Sequence, residues 1–332
     1  TALVLGATGG IGGHVARGLV DRGWTVRCLT RGGTKPEPEL DGRLQWRKGD
    51  ALKAEDVLAA AQGAELIVHA VNPPGYKDWA TLVLPMLDNT ISAATAVGAR
   101  ILLPGTVYNY GPEVLANVTE ESLQRPTTRK GRIRVEMEDR LKTASDRGVP
   151  VLIVRAGDFF GPGAGNSWLS QGMVKPGKPV TSVFNPGKPG IGHQWAYLPD
   201  VAETMLRLVD RRDRLPTFGR FHMQGVWDHD GQQMRNAMQR VVGRPVREKR
   251  FPWWTMRLGS PFVPLFRELV EMRYLWQTPI LMRNDRLLSV LGEEPHTPLD
   301  VAMRATLAGL GCLDPQSDAV SVLVGRNAGR VA

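Results

Sequence analysis

Cysteine is nearly absent: the 332 residues contain two, Cys28 and Cys312. Two thiols cannot frame a disulfide scaffold or supply a cysteine-rich zinc site. The six histidines show neither His-x-x-x-His nor His-Glu-x-x-His spacing, so no metal site is expected. Gly-x-Ser-x-Gly is missing, which disfavours a hydrolase elbow. No uncharged apolar run reaches the roughly 18 residues of a membrane span. Thr1 to Leu5 lack the basic start and apolar core of a secretory signal, so a reducing, cytoplasmic setting is expected. The 37 glycines and 24 prolines follow no period, which sets aside collagen-like and repeat architectures.

What is present reads as a globular chain: 42% hydrophobic and 23% charged residues, long enough for two ordinary domains or one large interleaved one. Lys and Arg number 42 against 33 Asp and Glu, a net charge of +9. Such an excess can serve nucleic acid, an anionic membrane surface or a phosphorylated ligand. Here the bases are scattered, with local clusters at 129–134, 211–212 and 244–250. They read mostly as solvated surface, and no nucleic-acid partner is expected.

The first 160 residues alternate short apolar runs with helical patterns. Strand-like runs begin at Leu3, Trp24, Arg43, Glu65, Arg100 and Val149; helical runs cover 14–21, 54–61, 79–97 and 134–147. This alternation predicts an α/β fold with a doubly wound parallel sheet. After Gly161-Pro162-Gly163 the pattern becomes loop-rich. His193 to Tyr197 is strand-like and Asp200 to Asp210 helical.

The strongest motif is Gly6-Ala7-Thr8-Gly9-Gly10-Ile11-Gly12, between the first strand and first helix. Glycines there let the backbone turn and approach a pyrophosphate, and the helix presents free N–H groups and its positive end. The spacing is Gly-x-x-Gly-x-x-Gly rather than Gly-x-Gly-x-x-Gly. After the second strand stand Leu29-Thr30-Arg31-Gly32-Gly33, with no carboxylate between Val26 and Lys35. Arg31 can pair with a 2′-phosphate and Thr30 can hydrogen-bond it, so NADP is expected over NAD.

In these motifs the chain resembles the short-chain dehydrogenase/reductase superfamily, in its extended or atypical branch related to nucleotide-sugar epimerases and dehydratases. The supporting landmarks are Gly49-Asp50-Ala51, Ala70-Val71-Asn72, Gly105 to Gly111, Arg155 to Pro162, Tyr197 to Ala202 and Pro295 to Leu299. The resemblance implies a Rossmann fold with a smaller C-terminal substrate-binding part. It assigns Gly6, Thr8, Gly9, Gly10, Ile11, Gly12, Thr30, Arg31, Asp50, Ala51, Ala70 and Val71 to the cofactor. It also implies that the chain re-enters the sheet late. The expected division is then 1–160 plus about 193–226 for cofactor, and 161–192 plus about 227–312 for substrate. Residues 313–332 form a tail of unassigned structure.

The family's catalytic set is Ser or Thr followed by Tyr-x-x-x-Lys. Thr106 fits the first place. Anchoring on Glu138 puts Lys130 where Tyr belongs and Arg134 where Lys belongs, and no tyrosine occurs between Tyr110 and Tyr197. Lys130 could move the proton, its pKa depressed by desolvation and by Arg134. Tyr108 could do so instead, or the site could bind cofactor without redox chemistry. A solvated basic face at i,i+4 is the competing structural reading of Lys130 and Arg134. The functional expectation is an NADPH-dependent reductase of a small carbonyl compound. Alternatives are a non-catalytic NADP(H) sensor and a sugar-nucleotide epimerase or dehydratase. Two weaker features complete the list. His193, Trp195 and Tyr197 alternate along a strand facing either a pocket or the core. Arg247 to Trp254 mixes bases with aromatics, a pattern of nucleic-acid and membrane-surface binders that reads here rather as a substrate lid or a homodimer contact.

Overall fold

The computed structural model describes residues 1–32, 42–73 and 78–313. Seven strands form one sheet: β1 (Ala2–Leu5), β2 (Val26–Thr30), β3 (Leu44–Lys48), β4 (Leu66–His69), β5 (Arg100–Gly105), β6 (Val151–Arg155) and, after three strands that lie elsewhere, β10 (Phe218–His222). Their order is β10-β6-β5-β4-β1-β2-β3, and every pairing is parallel. The order reverses between β1 and β4, the switch point at which open α/β sheets bind ligands beyond their carboxyl ends.

Helices α1 (Gly10–Asp21), α2 (Ala54–Ala61), α3 (Trp79–Val97), α4 (Arg129–Asp146) and α5 (Leu198–Asp210) cover the sheet. Alternation along β1 shows why its run is wholly apolar. Ala2 and Val4 join the core containing α1 and α5 residues, whereas Leu3 and Leu5 join the one beneath α2, α3 and α4. A strand covered on both faces has no polar side to keep. Among the described residues, α3 alone is long and apolar enough to cross a membrane. Its Val83, Leu87, Ala93 and Ala94 are instead buried in the core of the sheet.

Helix α4 begins one turn earlier than its apolar pattern predicts. The Thr128 hydroxyl oxygen accepts from the Gly131 N–H at 3.0 Å and caps the helix. Lys130 and Arg134 therefore lie within its first two turns, and both are buried.

The remaining elements build a second core. Strands β7 (Asp158–Phe160), β9 (His193–Tyr197) and β11 (Val226–Asp228) form a small sheet, and β8 (Ser182–Asn185) pairs with β12 (Arg247–Arg250). Around them lie α6 (Gln233–Val242), α7 (Trp253–Gly259), α8 (Pro264–Glu271), α9 (Asp285–Leu291) and α10 (Leu299–Gly309). Strand β10 thus re-enters the large sheet, while β9 lies in the small one. The expected tail, from 314 onward, lies outside the described residues.

Candidate cofactor and substrate site

The glycine turn is shaped by close backbone approach. Gly6 has φ +90°, and a Cβ there would lie 2.5 Å from the Ala70 carbonyl oxygen. Only glycine accepts both conditions. The Gly9 N–H donates to the Gly6 carbonyl at 3.0 Å, and a Cβ on Gly12 would strike that same carbonyl. Gly9 differs: its Cβ would meet only the Gly6 oxygen, at 3.3 Å.

A groove of about 390 Å³ opens from this turn at the switch point. Gly6, Thr8, Gly9, Thr30, Arg31, Asp50, Ala51, Ala70 and Val71 all line it, with Asn72. The Asp50 turn is fixed by its own bonds. Its carboxylate accepts from the Leu52 N–H at 3.0 Å, and its N–H donates to Asp56 at 2.8 Å. Arg31 is exposed at the rim. Gly10 and Ile11 are not in the groove wall. A Cβ on Gly10 would meet Leu198 and the Gly163 carbonyl, so Gly10 admits α5 and the 161–163 turn. The Ile11 side chain packs on the core. What these residues and Gly12 can offer a pyrophosphate is the backbone of the first helical turn.

A second cavity, of about 130 Å³, lies beyond the end of β5. It brings together Thr106, Tyr108 and Lys130, with Asp158, Phe159, Trp168, Phe251, Glu268 and Met272. Gly131 makes this possible: a Cβ on it would sit 2.2 Å from the Tyr108 carbonyl oxygen, so its absence lets that turn pack against α4.

Lys130 is 1% exposed, and its Nζ lies 2.6 Å from a Glu268 carboxylate oxygen. A solvated basic face is therefore excluded for Lys130 and for the equally buried Arg134. Burial lowers the Lys130 pKa, against the opposing pull of Glu268 and Glu271. The cation that adds to the lowering is Arg129 rather than the expected Arg134. Arg134 does not line the second cavity. Its guanidinium donates to the Asn72 side chain at 3.3 Å and lies 5.1 Å over the Trp79 ring. Arg134 thus backs the groove wall, one helical turn from Lys130.

Thr106 rests on a buried polar network. Its carbonyl accepts from Arg155, whose guanidinium reaches Glu138 at 2.6 Å. Glu138 also accepts from Asn109 at 2.9 Å and pairs with Arg220 at 3.1 Å. Burial alone would raise the Glu138 carboxyl. Arg155 and Arg220 outweigh it and hold the group below the usual carboxylate range.

Two features were not read from the sequence. Glu268 reaches Lys130 across 138 positions, and no local spacing announces it. Its only trace is a pair of carboxylates one turn apart, Glu268 and Glu271, matching the adjacent bases Arg129 and Lys130. The second is a buried pair beneath the cavity, His193 Nε2 to Asp158 at 2.7 Å, with the His193 ring stacked 3.8 Å from Trp276. His193, Trp195 and Tyr197 belong to a wholly buried strand, which resolves their alternation as core packing. Among the described residues no three His, Cys, Asp or Glu side chains gather as a metal site.

Comparison with known families agrees with this geometry. Residues 2–223 match the NAD dependent epimerase/dehydratase family. The chain belongs to that family. A curated relative, the 3-diazoavenalumate denitrifying reductase of a Streptomyces species, is 31% identical over 180 residues. That match covers 49% of this chain and 57% of the reductase, so the chain spans little more than half of its length. Two solved members share the fold at low identity. The UDP-glucuronic acid 4-epimerase of Bacillus cereus, solved with UDP-glucuronic acid and NAD, is 15% identical with a TM-score of 0.71, covering 93% of this chain and 98% of its own. A dTDP-glucose 4,6-dehydratase double mutant from Streptomyces venezuelae, solved with NAD, is 16% identical with a TM-score of 0.70, covering 93% and 96%.

Proposed function

We propose that this family member is an NADPH-dependent reductase of a small, uncharged carbonyl compound with a flat apolar body. The observation that carries the reading is the charge and shape of the second cavity. Its apolar walls are Val107, Tyr108, Phe159, Trp168, Phe251, Leu269 and Met272, beside the uncharged polar Thr106, Asn166, Ser167 and Gln171, and no arginine is among its lining residues. Its one lysine is already paired with Glu268, and Asp158 adds a second carboxylate. A sugar diphosphate would bring two negative charges into that setting, where like charges repel in a low dielectric. The relative named as a reductase supports reductive chemistry. The epimerase and dehydratase neighbours support the sugar-nucleotide alternative.

The groove residues suit a dinucleotide because Gly6 and Gly9 line it beside the start of α1, with no side chain on either glycine to stand between backbone and ligand. In this reading Gly6, Thr8, Gly9 and the first turn of α1 hold the pyrophosphate, with Asp50, Ala51, Ala70 and Val71 toward the adenosine end. Thr30 and Arg31 recognise the 2′-phosphate. Bound NADPH would supply a hydride. The Thr106 hydroxyl orients the substrate carbonyl by hydrogen bonding. Protonated Lys130 gives its Nζ proton to the oxygen of that carbonyl, so aldehyde or ketone becomes alcohol. Arg134, too basic to exchange a proton at neutral pH, holds Asn72 and the groove wall.

The test pairs cofactor with substrate. Titration should show NADPH bound more tightly than NADH, with Arg31→Ala weakening NADPH alone by about 1.5–3 kcal/mol. NADPH oxidation should then follow an aromatic aldehyde panel, and UDP-sugars should fail to compete. Equal cofactor affinities would remove the assignment to NADP. Turnover of a UDP-sugar would replace the reductase by an epimerase. Tight NADPH binding without any turnover would make the protein a sensor.

A further inference from the structure

Nine large hydrophobic side chains are exposed among the described residues, and four of them fall within ten positions: Trp254, Leu258, Phe262 and Val263. Trp254 is 68% exposed, Leu258 70% and Phe262 85%. Trp254, Arg257, Leu258 and Pro261 follow i, i+3, i+4, i+7 spacing, so they share one face of α7 and the turn after it. All four are exposed. The opposite face is already occupied. The Trp253 indole N–H donates to the Pro186 carbonyl at 2.9 Å, and its ring lies 5.9 Å from Trp168. The hairpin is closed by Phe266 against Gly259, where a Cβ would sit 2.6 Å from the ring. The outward apolar face therefore has no place left to fold into.

Charge around this face is mostly positive. From Arg247 to Arg273 the acids are Glu248, Glu268 and Glu271. Glu248 lies 3.8 Å from Arg235, Glu268 pairs with Lys130, and Glu271 accepts from the Arg129 N–H. Arg247, Lys249, Arg250, Arg257 and Arg267 are all exposed. An aromatic and aliphatic tip beside free bases is the pattern of a segment that sinks into a lipid headgroup layer bearing negative charge.

We propose that the outer face of the α7–α8 hairpin docks on an anionic lipid bilayer surface, with Trp254, Leu258 and Phe262 inserting and Arg250 and Arg257 meeting the headgroups. The inner side of the same segment walls the second cavity through Phe251, Glu268 and Met272.

The test is co-sedimentation of the full chain with phosphatidylcholine vesicles, with and without phosphatidylglycerol. Anionic vesicles should bind at least about tenfold more tightly, and added salt should reverse the gain. The triple variant Trp254→Ser, Leu258→Ser, Phe262→Ser should lose about tenfold or more in affinity. The charge variant Arg250→Glu, Arg257→Glu should do the same. Unchanged NADPH affinity checks that both variants remain folded. Absence of binding to anionic vesicles, or binding unchanged in both variants, overturns the proposal. So does a wild-type dimer that the triple variant converts to monomer in sedimentation velocity, which would assign the face to a second copy.

Discussion

Gly6 and Gly9 look alike in the sequence but answer to different demands. Gly6 combines φ +90° with a Cβ position 2.5 Å from the Ala70 carbonyl, whereas Gly9 has φ −90° and a Cβ position that meets only the Gly6 oxygen, at 3.3 Å. Gly6→Ala should therefore lower the melting temperature clearly, by the mechanisms of left-handed strain and backbone clash. Gly9→Val should remain folded and lose dinucleotide binding. Thermal melts with cofactor titration check both, and a folded Gly9→Val variant with wild-type affinity would place the phosphates elsewhere. His69 makes a second prediction at this scale. Burial, with Arg134 nearby, lowers its pKa to about 3. Above about pH 6.5 the folded and unfolded chains are equally unprotonated there. Below it the unfolded chain takes a proton that the folded chain refuses, so stability falls as pH drops toward about 3, by about 1.4 kcal/mol per pH unit. Denaturant unfolding across this range should give a shallower slope for His69→Gln than for wild type. Identical slopes would mean that His69 is not held neutral. The glycine turn was legible in the sequence because a backbone requirement leaves a residue-level mark. The burial of Lys130 was not, since its charge argues for solvent and its partner is distant in the chain.

The same contrast holds for elements. Helices 54–61 and 79–97 match the sequence pattern, because apolar periodicity and a following glycine mark their extent. Gly98, at φ +72°, closes α3. The apolar pattern starts α4 late because Arg129 to Arg132 carry charge rather than periodicity, and the helix begins instead at its Thr128 cap. That missed turn is the one that holds Lys130. Its positive end meets Glu268 and Glu271 of α8, so helix dipole and cations draw α8 onto the site. Glu268→Gln removes the carboxylate that raises the Lys130 pKa against burial. The alkaline limb of the proposed reductase activity should move to lower pH, as Lys130 loses its proton more readily. A pH profile of kcat checks the direction, and an unmoved or upward-shifted limb would separate Glu268 from the proton donor. The short strands β7, β8 and β11 carry little periodic signal, which is why the pair Asp158–His193 emerges only from the fold.

At the scale of the whole molecule, the parallel sheet builds the proposed cofactor groove at its switch point, and the second core supplies the far wall of the second cavity. Thr106 comes from the end of β5, Lys130 from the first turn of α4, and Glu268 from α8. The first two can be proposed from the sequence, because the resemblance to the family's pattern, anchored on Glu138, gives each a place. The third depends on how the C-terminal half folds back. In the proposed reaction Lys130 protonates the carbonyl oxygen as the hydride arrives. Single-turnover NADPH oxidation across pH, comparing wild type with Lys130→Met and Tyr108→Phe, tests it most directly. The predicted result is a loss of at least about tenfold in Lys130→Met, disappearance of its alkaline limb, and near wild-type rates in Tyr108→Phe. A full rate in Lys130→Met, or the large loss in Tyr108→Phe alone, would contradict it.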